Sequence, residues 1–293
     1  MKAGFVAIIG QPNVGKSTLL NRILGQKLSI TSRRPQTTRH QILGIKNVDQ
    51  AQIVFVDTPG MHGKEKRALN RYLNRTANTS LVGVDVIIWV VDSLTWHEFD
   101  AVIIEKLKQA KSPVILAINK TDQLKSKALV LPFLDAAKNR FEFNELIPIS
   151  ALKGNNLDVL ERKITELLPN GSSIFPEDMI TDRPEKFRVS EMIREKLVRR
   201  LCHELPHALT VIIERFEKKR SLIHIVAVIL VEREGQKVIV IGRNGENLKA
   251  VGQQAREDIE GMLEAKVFLD LWVKVKRGWS DNERSLNSLG YGG

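Results

Sequence analysis

Eight consecutive residues near the amino end, Gly10, Gln11, Pro12, Asn13, Val14, Gly15, Lys16 and Ser17, have the types and spacing that hold phosphate groups. Two glycines let backbone N–H groups curl around anionic oxygens, and the helix N-terminus that follows adds its partial positive charge. Lys16 brings a full positive charge to the outer phosphates, and the Ser17 hydroxyl suits Mg²⁺. The candidate cradle runs through Thr18. A chance glycine-rich turn is the competing reading, and the apolar run before it (Phe5–Ile9) and the helical spacing after it (Thr18–Leu24) argue against that. The pattern predicts a nucleoside triphosphate site.

Phosphate chemistry alone does not choose a base. Asn119, Lys120, Thr121 and Asp122 follow the apolar run Val114–Ile118, so they should emerge at the carboxyl end of a strand, where open α/β sheets bind ligands. A carboxylate at Asp122 can accept from both N1–H and the exocyclic amine of guanine. Adenine offers neither donor and would leave a desolvated carboxylate unpaired. The Lys120 stem can cover the base, and Ser150, Ala151 and Leu152 can bring a backbone N–H to guanine O6. Asp57, Thr58, Pro59 and Gly60 end the run Ile53–Val56; the carboxylate can hold Mg²⁺ through water, and the Gly60 N–H can meet the γ-phosphate. Asp-Thr-Pro-Gly is also a good turn sequence. Thr37 and Thr38 lie in a polar loop with Arg33, Arg34 and Arg39, where a hydroxyl could join the metal shell only when γ-phosphate is present. Lys16, Thr38 and Gly60 are therefore the candidate catalytic residues, and Ser17, Thr38 and Asp57 the candidate metal ligands.

The elements that must position these groups follow from periodicity. Strands are expected at 4–9, 42–47, 51–57, 84–92, 113–119 and 145–149, with helices near 16–25, 66–82, 98–110, 127–140 and 156–168. This alternation predicts a mostly parallel sheet with helices on both faces. Pro169-Asn170-Gly171-Ser172-Ser173, then Pro176 and Pro184, mark a boundary, giving domains at 1–170 and 185–293 with a linker at 171–184. Beyond it the expected order is a helix over 188–204, strands at 209–216 and 223–233, a helix over 246–263 and a strand from 267. Val238–Ile241 looks β-prone, but is read as a short helix overridden by context.

Composition sets outer bounds. The chain has 293 residues, 43% hydrophobic and 27% charged, ordinary for a globular protein of two domains. Its one cysteine, Cys202, cannot form an internal disulfide, so the cytoplasm is the expected compartment. Lys2 before an apolar run resembles a signal segment, but that run feeds the phosphate loop. No apolar run approaches the ~18 residues of a membrane span. The net charge of +11 favours polyanionic partners, yet residues 1–170 carry 24 Lys and Arg against 15 Asp and Glu, and 171–293 carry 21 against 19. Charge alone therefore does not mark the second domain as the nucleic-acid binder. His203 and His207 lack partners at metal spacing.

In the second half, Gly242, Arg243, Asn244 and Gly245 precede a helix carrying Lys249. A GXXG loop between two helices clamps the nucleic-acid backbone in KH domains, because missing side chains let phosphates reach peptide N–H groups. A plain turn is the alternative. Lys218-Lys219-Arg220 and Lys274–Arg277 could contact phosphate or be an ordinary solvated face. Trp272 and Trp279 could stack bases, although a core or interdomain role suits Trp272 better.

Taken together, the five nucleotide elements, the run Gln36-Thr37-Thr38-Arg39-His40, Asp57-Thr58-Pro59-Gly60, Leu271–Trp279 and Ser288-Leu289-Gly290-Tyr291 resemble the bacterial Era family across nearly the whole chain. The resemblance implies a P-loop G domain followed by an α+β type II KH domain. It implies GTP and GDP as ligands, Mg²⁺ on Ser17 and Thr38 (Thr37 less so), and Asn119 with Asp122 reading guanine. It also implies a partner in the 3′ end of 16S rRNA and a role as a switch in 30S subunit assembly. Where Ras-like proteins have a water-orienting glutamine, this chain has Met61, whose thioether cannot align water, so slow intrinsic hydrolysis is expected. Asn13 matches an asparagine that related proteins use for K⁺, and it equally suits a tight turn. A monomer is expected, with peripheral contact at the inner face of the cell membrane compatible with the charge. Alternatives are a related GTPase acting on another RNA or on membrane or protein partners, and an RNA-binding module with structural GTP.

Overall fold

A computed structural model describes residues 1–32, 37–60, 68–79, 81–92, 96–201, 209–219 and 221–291. Arg33, Arg34, Gln36, Met61, Cys202, His203, His207 and Arg220 lie outside them. The chain forms two compact units. One comprises Met1–Ser29, Thr38–Glu65 and Arg71–Asp182, and the other Ile30–Thr37, Lys66–Asn70 and Arg183–Gly293.

The first unit is built on six strands: β1 (Lys2–Ile9), β2 (Ile42–Val48), β3 (Ala51–Asp57), β4 (Val86–Asp92), β5 (Val114–Asn119) and β6 (Glu145–Pro148). Their order is β2-β3-β1-β4-β5-β6, with only β2 antiparallel to its neighbour. Helices α1 (Lys16–Leu24), α3 (Glu98–Gln109), α4 (Val130–Lys138) and α5 (Leu157–Leu167) pack on the sheet, and α2 (Ala68–Thr79) begins in the segment assigned to the other unit. Alternation along β1 sets the layers. Val6 and Ile8 meet Leu19, Leu20 and Ile23 of α1 and Leu160 and Ile164 of α5 on one face. Ala7 and Ile9 meet Ile103 and Leu107 of α3 and Phe133 of α4 on the other. Strands buried on both faces have to be apolar at every position, which is why β1, β4 and β5 read as continuous apolar runs.

Of the linker expected at 171–184, residues 171–182 belong to this unit. Ile45 N–H donates to the Ile180 carbonyl at 2.8 Å, and Gln52 Oε1 accepts from Ile174 and Phe175 N–H. The segment thus satisfies backbone groups along the outer edge of β2, which would otherwise be an open template for another chain.

The second unit orders its elements α6 (Glu185–Arg200), β7 (Leu209–Lys219), β8 (Leu222–Val231), α7 (Glu234–Ile241), α8 (Glu246–Leu263), β9 (Val267–Val275) and α9 (Glu283–Leu286). The sheet runs β7-β8-β9, with β7 antiparallel and β9 parallel to β8. Ile225, Ala227 and Ile229 of β8 pack against Ile193 and Leu197 of α6 and Val251, Ala255 and Ile259 of α8. The helix expected at 188 starts three residues earlier, behind Pro184. Val238–Ile241 is helical despite its β-branched composition. Gln236 Oε1 accepts from the Glu232 and Arg233 N–H groups and closes the helix start, while Val240 is fully buried.

Trp272 departs from its expected core role. It is 56% exposed, with Nε1 donating to Asp270 Oδ2 at 2.9 Å, whereas Trp279 is fully buried beside Tyr291. Within this unit, Thr31 N–H donates to Glu195 Oε1 at 3.0 Å and Arg194 donates to the Thr37 carbonyl. Leu69 N–H donates to the Ser280 carbonyl at 3.1 Å.

Candidate functional site

The turn from β1 into α1 carries Gly10 to Thr18. Gly10 and Gly15 have φ of +142° and +103°. A Cβ at Gly10 would stand 2.3 Å from the Val90 carbonyl oxygen, and one at Gly15 would stand 2.2 Å from Asn119 Nδ2. Both conformation and space therefore demand glycine. Asn13 also sits at positive φ, 66°, the turn geometry that asparagine tolerates. Lys16 Nζ folds back to donate to the Gly10 and Gln11 carbonyls at 3.0 and 2.7 Å, so the ammonium stands over the loop mouth. Burial lowers its pKa to about 8, opposed in part by the Asp57 charge. Such a group gains from a nearby anion, and a phosphate chain would restore its ordinary charge.

Four side-chain oxygens converge beside the loop. Ser17 Oγ lies 2.9 Å from Thr38 Oγ1 and 3.3 Å from Asp57 Oδ2, and Ser29 Oγ donates to the same Asp57 oxygen at 2.5 Å. The other carboxylate oxygen, Asp57 Oδ1, is buried with no hydrogen-bond partner. Burial raises the Asp57 pKa against the Ser29 bond and the Lys16 charge. A buried carboxylate with an orphan oxygen, flanked by two hydroxyls, fits a hard divalent cation that keeps several waters. Ser17, Thr38 and, through water, Asp57 would hold Mg²⁺, which supplies charge neutralisation to phosphate oxygens when bound. Thr58 is committed elsewhere, its hydroxyl donating to the Ile8 carbonyl. Gly60 backs onto the phosphate loop, where a Cβ would stand 3.0 Å from Pro12 N.

At the carboxyl end of β5, Lys120 adopts φ 66° and its ammonium meets Asp92 Oδ2 at 2.5 Å. Asp122 is exposed, with Oδ1 accepting from Ser150 Oγ at 2.5 Å, which holds the carboxylate at the rim. Asn119 bonds two separate segments of the chain. Its Nδ2 donates to the Val14 carbonyl at 2.8 Å and its Oδ1 accepts from Ala151 N–H at 2.9 Å, both buried. Asn119 thus ties the phosphate loop to the Ser150–Leu152 turn, and of the three N–H groups expected to offer a contact to guanine O6, that of Ala151 is engaged with it. Leu152 is 65% exposed above this turn.

Sequence reading missed Ser29, Asp92 and Asp100, the last accepting from Gln11 Nε2 at 2.8 Å. Asp92 could have been found, because it pairs in register with Asn119 at the same sheet edge. Ser29 and Asp100 sit in no local pattern.

In the second unit, Gly242–Gly245 joins α7 to α8. Gly242, Asn244 and Gly245 have φ of 75°, 51° and 78°. Asn247 locks the loop, donating to the Ile239 carbonyl at 3.0 Å while accepting from Arg200 at 2.8 Å. Next to the loop a groove of about 590 Å³ runs between α8 and β9, lined by Gly245, Lys249, Gly252, Arg256, Phe268 and Leu271 among others. A Cβ at Gly252 would lie 3.4 Å from Leu271. Lys249 was expected there; Gly252, Arg256 and Phe268 were not. Lys218 and Lys274, candidate phosphate contacts, pair with Glu185 and Glu214 at 2.8 Å each. Among the described residues, no helix is long and apolar enough to cross a membrane.

Comparison with known proteins places these sites in context. Residues 5–120 match the family described as 50S ribosome-binding GTPase, and residues 204–280 match the KH domain family. The GTPase Era of Marinobacter nauticus is 56% identical over 289 residues, covering 99% of this chain and 95% of that protein. That of Pseudomonas aeruginosa is 55% identical over 291 residues, with the same coverage. Among solved structures, a single-residue variant of Aquifex aeolicus Era bound to GDP and AlF4⁻ superposes with a TM-score of 0.96 at 41% identity, covering 99% of each chain. A structure of Era with MgGDPNP and nucleotides 1506–1542 of 16S ribosomal RNA matches equally well.

Proposed function

Because this chain belongs to the Era family of GTPases, we propose that it hydrolyses GTP to GDP and phosphate at the β1–α1 rim, holds the 3′ end of 16S rRNA in the α8–β9 groove, and acts as a switch in 30S subunit assembly. The likeness over the full chain to a relative holding both MgGDPNP and 16S nucleotides carries this reading. The 50S label attaches to the first half alone, whereas the KH match covers the half that would meet RNA. Lys16 and the loop N–H groups would bind the phosphates, Ser17, Thr38 and Asp57 would hold Mg²⁺, and Asp122 would choose guanine. Gly60 would present its N–H to the γ-phosphate. With Met61 in place of a water-orienting glutamine, hydrolysis rests on positioning and charge. Asn13 is the candidate K⁺ contact; replacing KCl by NaCl should slow single-turnover hydrolysis, and an unchanged rate removes K⁺ from the scheme.

The direct test measures binding of the full chain to a single-stranded 16S 3′-end RNA and to a scrambled control across a salt series. Specific binding should weaken with salt at a slope of about −0.7 per neutralised phosphate. No preference over the scrambled RNA would overturn the partner assignment. Sedimentation with anionic vesicles tests the proposed peripheral membrane contact, and light scattering tests the proposed monomer.

A further inference from the structure

The sheet of the second unit turns one side toward α6 and α8. Along β9, Val267, Leu269, Leu271, Val273 and Val275 belong to that core. Phe268, Asp270, Trp272 and Lys274 alternate with them and face the other side. Phe268 and Trp272 are 52% and 56% exposed, the two most exposed aromatic rings among the described residues. Each is held in place: His224 lies with its ring centroid 4.9 Å from that of Phe268, and Trp272 Nε1 is bonded to Asp270 on the same strand. Large rings left in water yet fixed in orientation are suited to stacking, because little side-chain freedom remains to be lost on binding.

The row is continuous with the RNA groove, since Phe268 is also one of its lining residues and β9 is the outer strand of the sheet. Two ion pairs border the row, Lys274 with Glu214 at 2.8 Å and Arg215 with Glu217 at 2.7 Å, and Asp270 adds a negative group. Such a surface offers rings rather than net charge, so it favours nucleobases over phosphates. Phe268 and Trp272 stand four positions apart, roughly 13 Å along a strand. Stacked bases rise only about 3.4 Å per step, so the two rings would take separate, splayed bases.

We propose that the Phe268–Trp272 row is a second RNA subsite, where unpaired bases of the strand held in the groove cross the β9 edge and stack, with Trp272 the outer platform. The inference rests on the groove holding RNA, as read above. The test uses the full chain with a short single-stranded RNA confined to the groove, and with the same RNA extended at its 5′ or 3′ end by a few unpaired nucleotides. One extended RNA should bind wild type about 5- to 100-fold tighter than the short one, the range expected for one stacked base. That gain should vary little with salt and should quench tryptophan fluorescence. Trp272→Ala should lose the gain and the quench while binding the short RNA and hydrolysing GTP as wild type does. Trp272→Phe should keep most of the gain without the quench. Equal affinity of short and extended RNAs for wild type, or an equal loss on both in Trp272→Ala, overturns the subsite alone. Failure of the short RNA to bind at all overturns the groove assignment, and the subsite with it.

Discussion

Asn119 separates two accounts of the nucleotide site, and replacing it with alanine decides between them. In the structure its carboxamide spans from the Val14 carbonyl, 2.8 Å away, to the Ala151 N–H, 2.9 Å away, both in buried surroundings. Asn119→Ala removes both bonds and leaves a carbonyl of the phosphate loop and an N–H of the Ser150–Leu152 turn without partners. Each orphaned group costs about 1–3 kcal/mol, so the pair should cost roughly 2–6 kcal/mol. Part of this should appear as lower stability of the nucleotide-free protein in urea unfolding. The rest should appear in binding, where about 2–4 kcal/mol corresponds to roughly 30- to 1000-fold weaker affinity. If Asn119 acts as a strut, GTP, GDP, ITP and XTP should all weaken by similar factors in a fluorescent-nucleotide displacement assay, because the damage lies in the loops and not at the base. Weaker nucleotide binding with the urea stability of the nucleotide-free protein unchanged would refute the strut and restore the residue to base reading.

Other outcomes follow from the same geometry. Asp122→Asn keeps an oxygen for Ser150 but turns an N–H toward guanine's own donors; two charge-assisted bonds of about 1.5–3 kcal/mol are lost, so GTP affinity should fall at least a hundredfold while XTP gains, and unchanged GTP-over-XTP selectivity would sink the base assignment. Lys16, lowered by burial to about 8, loses its proton in the free protein as pH rises past that value. Bound triphosphate favours the charged form, so binding should take up protons increasingly between about pH 7 and 9. Calorimetry in buffers of different ionisation heat reads this directly, and Lys16→Ala should abolish it.

Much of the nucleotide rim was legible because its chemistry constrains residue type. Gly10 and Gly15 have no room for a Cβ, and the residue proposed to accept from both guanine donors, Asp122, has to be a carboxylate. Less legible were contacts made by residues far apart in the chain, such as Ser29 on Asp57 and Asp100 on Gln11, since neither serine nor aspartate announces its partner. Lys120 against Asp92 required knowing that β4 lies beside β5. The short helix α7 shows propensity yielding to burial of Val240 and to a side-chain cap from Gln236. Trp272 is a different case: period-two alternation along β9 places it with Asp270 and Lys274 on the side away from the core, against the core or interdomain role expected of it.

The second unit draws on pieces of chain from outside 185–293. Thr31 and Thr37 are held by Glu195, Arg199 and Arg194, and Leu69 by Ser280. A fragment cut at the proline-rich stretch would therefore strip fully buried Glu195 and Arg194 of contacts that no water shell was arranged to replace. Dissection experiments on such a fragment would report the behaviour of a damaged surface. Faithful truncation has to keep Ile30–Thr37 and Lys66–Asn70, which lie more than a hundred residues upstream of the cut.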